Sequence, residues 1–475
     1  MTKHGACTVT DKRLGMKIIT RDKLKQRDRK LSLGFSKSFN TLIVLFIIAS
    51  CFYSIQASAQ DEEGIKVEVN ASQVTRFVIA TPKALNVGTA LDTIGLTEQL
   101  GGTLEQSLKL SGYFDLLEAE LYPADPSSEG MSPIFVNWFN AGTQGLIKSS
   151  FAIEGNKARV TLKLFDVDEK KQVKLADNVD QTTSLALEPK EIRAHVHRFI
   201  NQVIKFYTNT PGFFGTQIAA VRKGARGKSI VLVSADGRNT TTAVKGTKTN
   251  LLPHLAKGQI FFTSYRDGGP HLFTSKNGKI TRLSARRGLN MGAALSPDGR
   301  LLVVVLSYQG SSDLYLLNPS TGEILRRLTR HKSIDISPTW SPDGKQIAFV
   351  SDREGSPQLW VMNSDGSNKR RLTYQGKYNQ SPDWSPKGDL IAYTSRDENF
   401  VFDIFTIDPK DPTQVRRLTQ NQGNNEEPSF SPDGRHIVFS STRTGRSELY
   451  IMTGDGFTQQ RLTQGGGYIT PSWGR

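Results

Sequence analysis

Ser337-Pro338-Thr339-Trp340-Ser341-Pro342-Asp343-Gly344-Lys345-Gln346-Ile347-Ala348-Phe349-Val350 joins a proline-marked segment to an apolar run through a tight turn. Ser-Pro-Asp-Gly is turn chemistry: proline presets φ at its second position and glycine accepts a positive φ at its last. The tetrapeptide starts again at Ser296 and Ser431, and as Ser-Pro-Lys-Gly at Ser385; successive starts lie 45, 44 and 46 residues apart. Arg-Leu-Thr keeps the same beat at Arg327, Arg371, Arg417 and Arg461. A repeat of this length is the signature of a propeller blade. One copy would be an ordinary surface turn, but four in phase are an architecture.

Inside the repeat, Ile347–Val350 and Leu359–Met362 are short apolar runs, as strands covered on both faces should be. Polar Asp352–Ser356 separates them, and Ser364-Asp365-Gly366-Ser367 turns the chain into a last strand ending at Arg371-Leu372-Thr373. That makes a four-stranded antiparallel blade. A degenerate repeat precedes Ser296, with turns at Ala256-Lys257-Gly258 and Asn277-Gly278. Earlier still, Gly215-Thr216-Gln217-Ile218-Ala219-Ala220-Val221 nearly copies Gly344–Val350, so the first repeat enters at its second strand. The missing inner strand is supplied by Thr470-Pro471-Ser472-Trp473, which matches Ser337–Trp340. The expected fold is six blades over 215–475, closed by the last strand with no exposed edge at the seam.

The leader is set aside before the rest is read. Residues 1–40 hold eleven Lys/Arg against three Asp, Thr41–Ala49 is apolar, and Ala57-Ser58-Ala59 offers small-x-small cleavage. Residues 1–59 read as a secretory signal peptide with cleavage before Gln60; Met16 is an alternative start. The apolar run is short for a membrane span. Ile48-Ala49-Ser50-Cys51 is a rival, lipoprotein-type cleavage box. Both cysteines, Cys7 and Cys51, fall in the leader, so the mature chain has no disulfide. Half of the formal charge of +16 leaves with it, and the remainder is no argument for nucleic acid.

Residues 60–208 read as a small α/β domain, with 209–214 as a linker. Gln60-Asp61-Glu62-Glu63-Gly64 is an acidic start; Ile65–Val69 and Arg76–Ala80 read as strands. Thr97–Leu110 is a helix, Phe114–Leu121 a strand, Pro133–Phe139 a short helix, and three strands follow to Leu175. The closing helix begins at Pro189 and aligns Ile192, Val196, Phe199, Ile200, Val203 and Ile204 on one face. His195 and His197 point apart on that helix and read as solvated or rim residues.

Catalytic signatures are wanting. There is no Gly-x-Ser-x-Gly. Gly227-Lys228-Ser229 looks like the end of a phosphate-binding loop, but Arg222 stands where its first glycine belongs, so a hairpin turn is expected. His254, His271, His331 and His436 are scattered without ligand spacing. No cofactor, metal or catalytic residue is indicated.

Taken together, the leader, the small α/β domain, the Gly212–Val221 entry and the repeats ending on Pro471-Ser472-Trp473 resemble the TolB family of periplasmic propeller proteins. The resemblance implies a non-enzymatic adaptor of the Tol–Pal envelope system that supports outer-membrane integrity and constriction at division. It would bind the peptidoglycan-associated lipoprotein Pal with the propeller, the inner-membrane partner TolA with a segment near Gln60–Asn70, and possible further outer-membrane proteins. The alternative is a propeller hydrolase or lyase acting on carbohydrate or peptide in the channel. Independently, strand alternation puts the Ser-Pro-Asp-Gly turns on one face and the varied inter-blade loops on the other, where a rigid scaffold presents recognition residues. The candidate partner-binding residues are Asn290, Met291, Asp335, Ser337, Asn379, Ser381, Asn425, Glu426, Glu427 and Tyr468. Asn424-Asn425-Glu426-Glu427-Pro428 best fits the family's polar-acidic pattern before the inner-strand proline, and Ser337 and Ser381 depart from it.

Overall fold

The computed structural model describes residues 76–475. The leader, the acidic start and the strand expected at Ile65–Val69 lie outside the described residues.

Six four-stranded antiparallel sheets follow one another around a ring. Their inner strands are Tyr468–Trp473 (blade 1), Asn250–Ala256 (blade 2), Asn290–Leu295 (blade 3), Asp335–Trp340 (blade 4), Asn379–Trp384 (blade 5) and Asn425–Phe430 (blade 6). Blade 1 is shared between the two ends of the repeat region. Tyr468–Trp473 pairs antiparallel with Gln217–Gly224, Tyr468 opposite Arg222 and Trp473 opposite Ile218. The expected closure is the observed one.

Both repeat signatures have structural causes. In Ser341-Pro342-Asp343-Gly344 the serine hydroxyl donates to Asp343 (2.6 Å) and accepts from the Gln346 N–H (2.9 Å), while Asp343 accepts from the Lys345 N–H (3.0 Å). Gly344 sits at φ +69, where a Cβ would be strained. The threonine of Arg-Leu-Thr closes blades 3 to 6 from outside. Thr329 donates to buried Asp313 (3.1 Å) and accepts from the Leu314 N–H (2.9 Å), and Arg327 reaches the same carboxylate at 2.7 Å. Glu448, Thr463 and Arg461 repeat this in blade 6, and Gln358 replaces the acid in blade 4. The signature persists because each buried polar group must be hydrogen-bonded.

Ahead of the ring, Gly145–Glu154 and Lys157–Asp166 form the centre of a seven-stranded sheet. Helices Leu96–Ser111 and Pro189–Thr208 cover one side, burying Leu100, Leu104, Leu108, Val196, Phe199 and Val203. The strand expected at Phe114–Leu121 stops at Leu116 and becomes a short 3-10 turn at Ala119–Leu121. His195 is a correction. It is only 2% exposed, because the helix is covered over more than its apolar stripe, and burial lowers its pKa to about 4. His197 stacks on Phe214 rather than standing in solvent.

This region sits on the turn face of blades 1 and 6. His436 Nε2 donates to the Ser111 carbonyl (2.8 Å), and Arg435 donates to the Thr208 carbonyl (2.8 Å). Asp236 lies 3.5 Å from Arg193, and Gln460 donates to the Lys109 carbonyl at 3.0 Å. The linker is a wedge: Phe213 is 1% exposed and packs edge-on against Trp473 (5.3 Å) and His436 (4.4 Å). One apolar core therefore runs from the helices into blades 1 and 6.

Candidate functional site

Every inner strand carries a bulge at the same place. The ladder slips between Leu251 and His254, Met291 and Ala294, Ile336 and Thr339, Gln380 and Asp383, Glu426 and Ser429, and Ile469 and Ser472. At each slip one residue turns left-handed: Leu252 (φ +49), Gly292 (+60), Ser337 (+52), Ser381 (+52), Glu427 (+59) and Thr470 (+48). Proline follows in five of the six, with Ala293 in blade 3. A positive φ is uncommon outside glycine and costs energy, and such strain collects at functional sites. Bulges re-aim side chains. Here all six residues line a cavity of about 640 Å³ on the ring axis.

The end of the cavity at the turn face is crossed by Arg475. Its carbonyl accepts from the Lys257 N–H of blade 2 (2.8 Å), while its guanidinium donates to the Trp384 carbonyl of blade 5 (2.9 Å) and pairs with Asp383. His254 accepts the Leu295 N–H at Nε2 (3.0 Å), so that nitrogen is unprotonated. Burial, helped by Arg475, lowers its pKa to about 4. The other end opens through the inter-blade loops, opposite the Ser111 and Thr208 contacts.

The sequence-predicted positions divide in two. Asn290, Asp335, Asn379 and Asn425 are at 0% exposure and Tyr468 at 4%. They hold the loops. Asn290 donates to the Arg286 and Gly288 carbonyls (2.7 and 3.1 Å), and Asp335 takes Arg353 at 2.8 Å. Asn379 donates to Gln358 and Asn425 to Asp403, at 2.8 and 2.9 Å, and Tyr468 lies beneath the Arg222 guanidinium. Met291, Ser337, Ser381, Glu426 and Glu427 are half-buried and sit at or beside the bulges. The first strand residue is hidden in the blade; two residues on, regular alternation would hide the next as well, and it is the left-handed bulge that turns it to the axis instead.

Glu427 is the most perturbed of these. Protein surrounds it on all sides except the cavity, and burial pushes its carboxyl up to about 7 despite the Thr470 N–H it accepts at 2.5 Å. Neighbouring Glu426 adds repulsion and is itself raised by burial, with Lys223 opposing.

Sequence reasoning missed Leu252, Gly292 and Thr470 as ring members, though a shared X-Pro position in the inner strands was visible. It also missed the apolar surface of the loop face. Tyr265 (40% exposed), Ile334 (48%), Tyr374 (68%) and Phe400 (72%) stand on loops of that face. Nothing in the local pattern separates them from core residues.

Comparison with known proteins agrees with this geometry. The TolB beta propeller domain matches residues 205–411 and 401–475, and the TolB amino-terminal domain matches residues 65–173. The "Protein TolB homolog" of Chlorobium luteolum is 31% identical over 440 residues, covering 91% of this chain and 98% of that one. The "Tol-Pal system protein TolB" of Desulfosudis oleivorans is 36% identical over 233 residues, covering 47% of this chain; there and in the Anaeromyxobacter relatives the match spans about half of the relative's length (51% and 50%). The crystal structure of TolB from Acinetobacter baumannii superposes with a TM-score of 0.72 at 23% identity, over 84% of this chain and 97% of that one, and so shares the fold. The chain belongs to the TolB family.

Proposed function

We propose that this protein is a non-enzymatic periplasmic adaptor of a Tol–Pal system, and that its propeller binds the peptidoglycan-associated lipoprotein Pal at the mouth of the channel on the loop face. A segment near residues 60–70, at the start of the 60–208 domain, engages TolA. The observation that carries the reading is the loop face itself. Exposed Tyr265, Ile334, Tyr374 and Phe400 stand on the face onto which the channel opens, Ile334 lining the cavity itself, and the carboxylates of Glu426 and Glu427 lie beside the bulged ring. Exposed aromatics around a concavity are the composition of a protein interface. The named roles of relatives as Tol-Pal system proteins support the assignment. Of the residues that a channel enzyme would need, Asp383 is paired with Arg475 and His254 is committed to Leu295.

Calorimetry with the soluble part of a Pal-type lipoprotein tests it. Glu426→Lys plus Glu427→Lys should weaken binding by about 2–5 kcal/mol. Asp298→Lys plus Asp343→Lys, on the turn face, should leave it unchanged. Weakening only by the second pair would place the partner on the other face. Deleting residues 60–70 should abolish TolA binding and spare Pal.

A further inference from the structure

The mature chain's positive charge is gathered in one place. Residues 215–266 contain nine Lys/Arg and a single acidic residue, Asp236, a surplus equal to that of the whole chain after the leader. Asp236 is buried against Arg193 and His197 on the turn face, so it neutralises nothing on the other side. Six of the cations, Arg222, Lys223, Arg226, Lys228, Lys245 and Lys248, fall on the loop face. They lie on the hairpin joining Gln217–Gly224 to Gly227–Ser234 and on the loop from Val244 to Asn250. All but half-buried Lys228 are exposed. Among the described residues no carboxylate oxygen comes within 4.0 Å of any of them, although Lys223 acts at longer range on Glu426.

These two basic loops are held in contact. Gly227 has φ +148, and a Cβ there would stand 2.5 Å from the Gly246 carbonyl and 2.8 Å from that of Lys248. A Cβ on Gly246 would stand 2.6 Å from the Ser229 nitrogen. The Lys228 N–H donates to the Lys248 carbonyl (3.2 Å), and Asn250 donates to the Lys228 carbonyl (2.7 Å). Two glycines thus allow a backbone approach that like charges oppose. Where a chain breaks a local rule without compensation, function is the usual reason. Between the loops lies an open cleft of about 450 Å³ lined by Arg226, Lys248, Thr247, Thr249, Tyr265, the apolar Leu251 and Gly227. Two cations, two hydroxyls and an interfacial tyrosine make a receptor for a phosphate-bearing headgroup.

The geometry points to a second binding surface on the loop face, in which this basic cleft and its flanking lysines dock the protein on an anionic phospholipid membrane. The membrane is favoured over an acidic protein because the cations spread over two loops on the rim, and because Tyr265 sits among them at headgroup-anchoring exposure. The hairpin tip itself offers only glycine and alanine between its cations, so it presents charge without a specificity pocket.

Vesicle flotation with the mature protein tests this without any protein partner, and so independently of the adaptor reading. Vesicles of phosphatidylcholine with about one third phosphatidylglycerol should bind the protein at low salt, and phosphatidylcholine alone should not. Lys223→Glu plus Arg226→Glu should weaken binding about tenfold or more. Arg300→Glu plus Lys345→Glu changes net charge equally on the turn face and should leave it intact. Absent binding to the anionic vesicles, or equal losses in the two double variants, overturns the proposal. Binding of a poly-glutamate peptide or of free glycerol phosphate at the cleft, with no vesicle binding, also overturns it and reassigns the surface.

Discussion

Glu427 shows how a single residue carries both strain and charge. Its φ is +59, its carboxyl faces the channel, and its pKa of about 7 stands well above the 4.5 of an ordinary glutamate. The folded protein therefore holds an extra proton between those two pH values, and stability falls as pH rises from about 4.5 to 7. Glu427→Gln keeps an acceptor for the Thr470 N–H and removes that dependence. It should stabilise the protein by about 1–3 kcal/mol at pH 8 and by nothing measurable at pH 4, as read by urea denaturation. An equal effect at both pH values would exclude the channel carboxyl as its source. His254 has the opposite sign over a similar window. Its pKa is depressed from 6.5 to about 4, so the stability it supports is present above 6.5 and is lost as pH falls toward 4.

At the scale of the element, a blade is held by its bulged inner strand and its outer threonine clasp. Gly292 is the one ring position with glycine, at φ +60, and Gly292→Ala should cost about 1 kcal/mol because the left-handed backbone disfavours a Cβ. A thermal shift no larger than that of an exposed control would contradict the strain account. The clasp is worth more. Thr329→Val removes the hydroxyl shared by Asp313 and the Leu314 N–H, both buried, and should cost about 2–4 kcal/mol. Retained stability would mean that Arg327, Ser311 and the His331 N–H satisfy Asp313 without the threonine.

The whole molecule depends on closure. Deleting residues 468–475 removes the inner strand of blade 1, Trp473, and Arg475 from the channel. The loss of one buried tryptophan costs about 3–5 kcal/mol before the opened edge is counted, against a typical domain stability of roughly 5–15 kcal/mol. The truncated chain should melt far below the full one or fail to fold, and equal melting temperatures would rule out closure as the source of stability. The same cut also removes the ring that the amino-terminal region leans on, since Phe213 packs on Trp473 and His436 holds Ser111.

The repeat, the blade count and the shared blade were legible in the chain alone. They rest on local turn chemistry and on a period, and both are properties of short segments repeated in order. The division into inward and outward loops followed from antiparallel alternation. What the chain alone could not show was which loop residues face outward. Asn290, Asp335, Asn379 and Asn425 look like polar loop residues, yet each is enclosed by partners from elsewhere in its blade or the preceding one. The bulge that turns Ser337, Ser381 and Glu427 toward the axis appears only once two strands are paired, because a register slip is a relation between strands. The burial of His195 and His436 depended in the same way on which surfaces meet. Local chemistry set the elements and their order; burial, register and crowded charge are properties of the packed neighbours, and only the tertiary structure decided them.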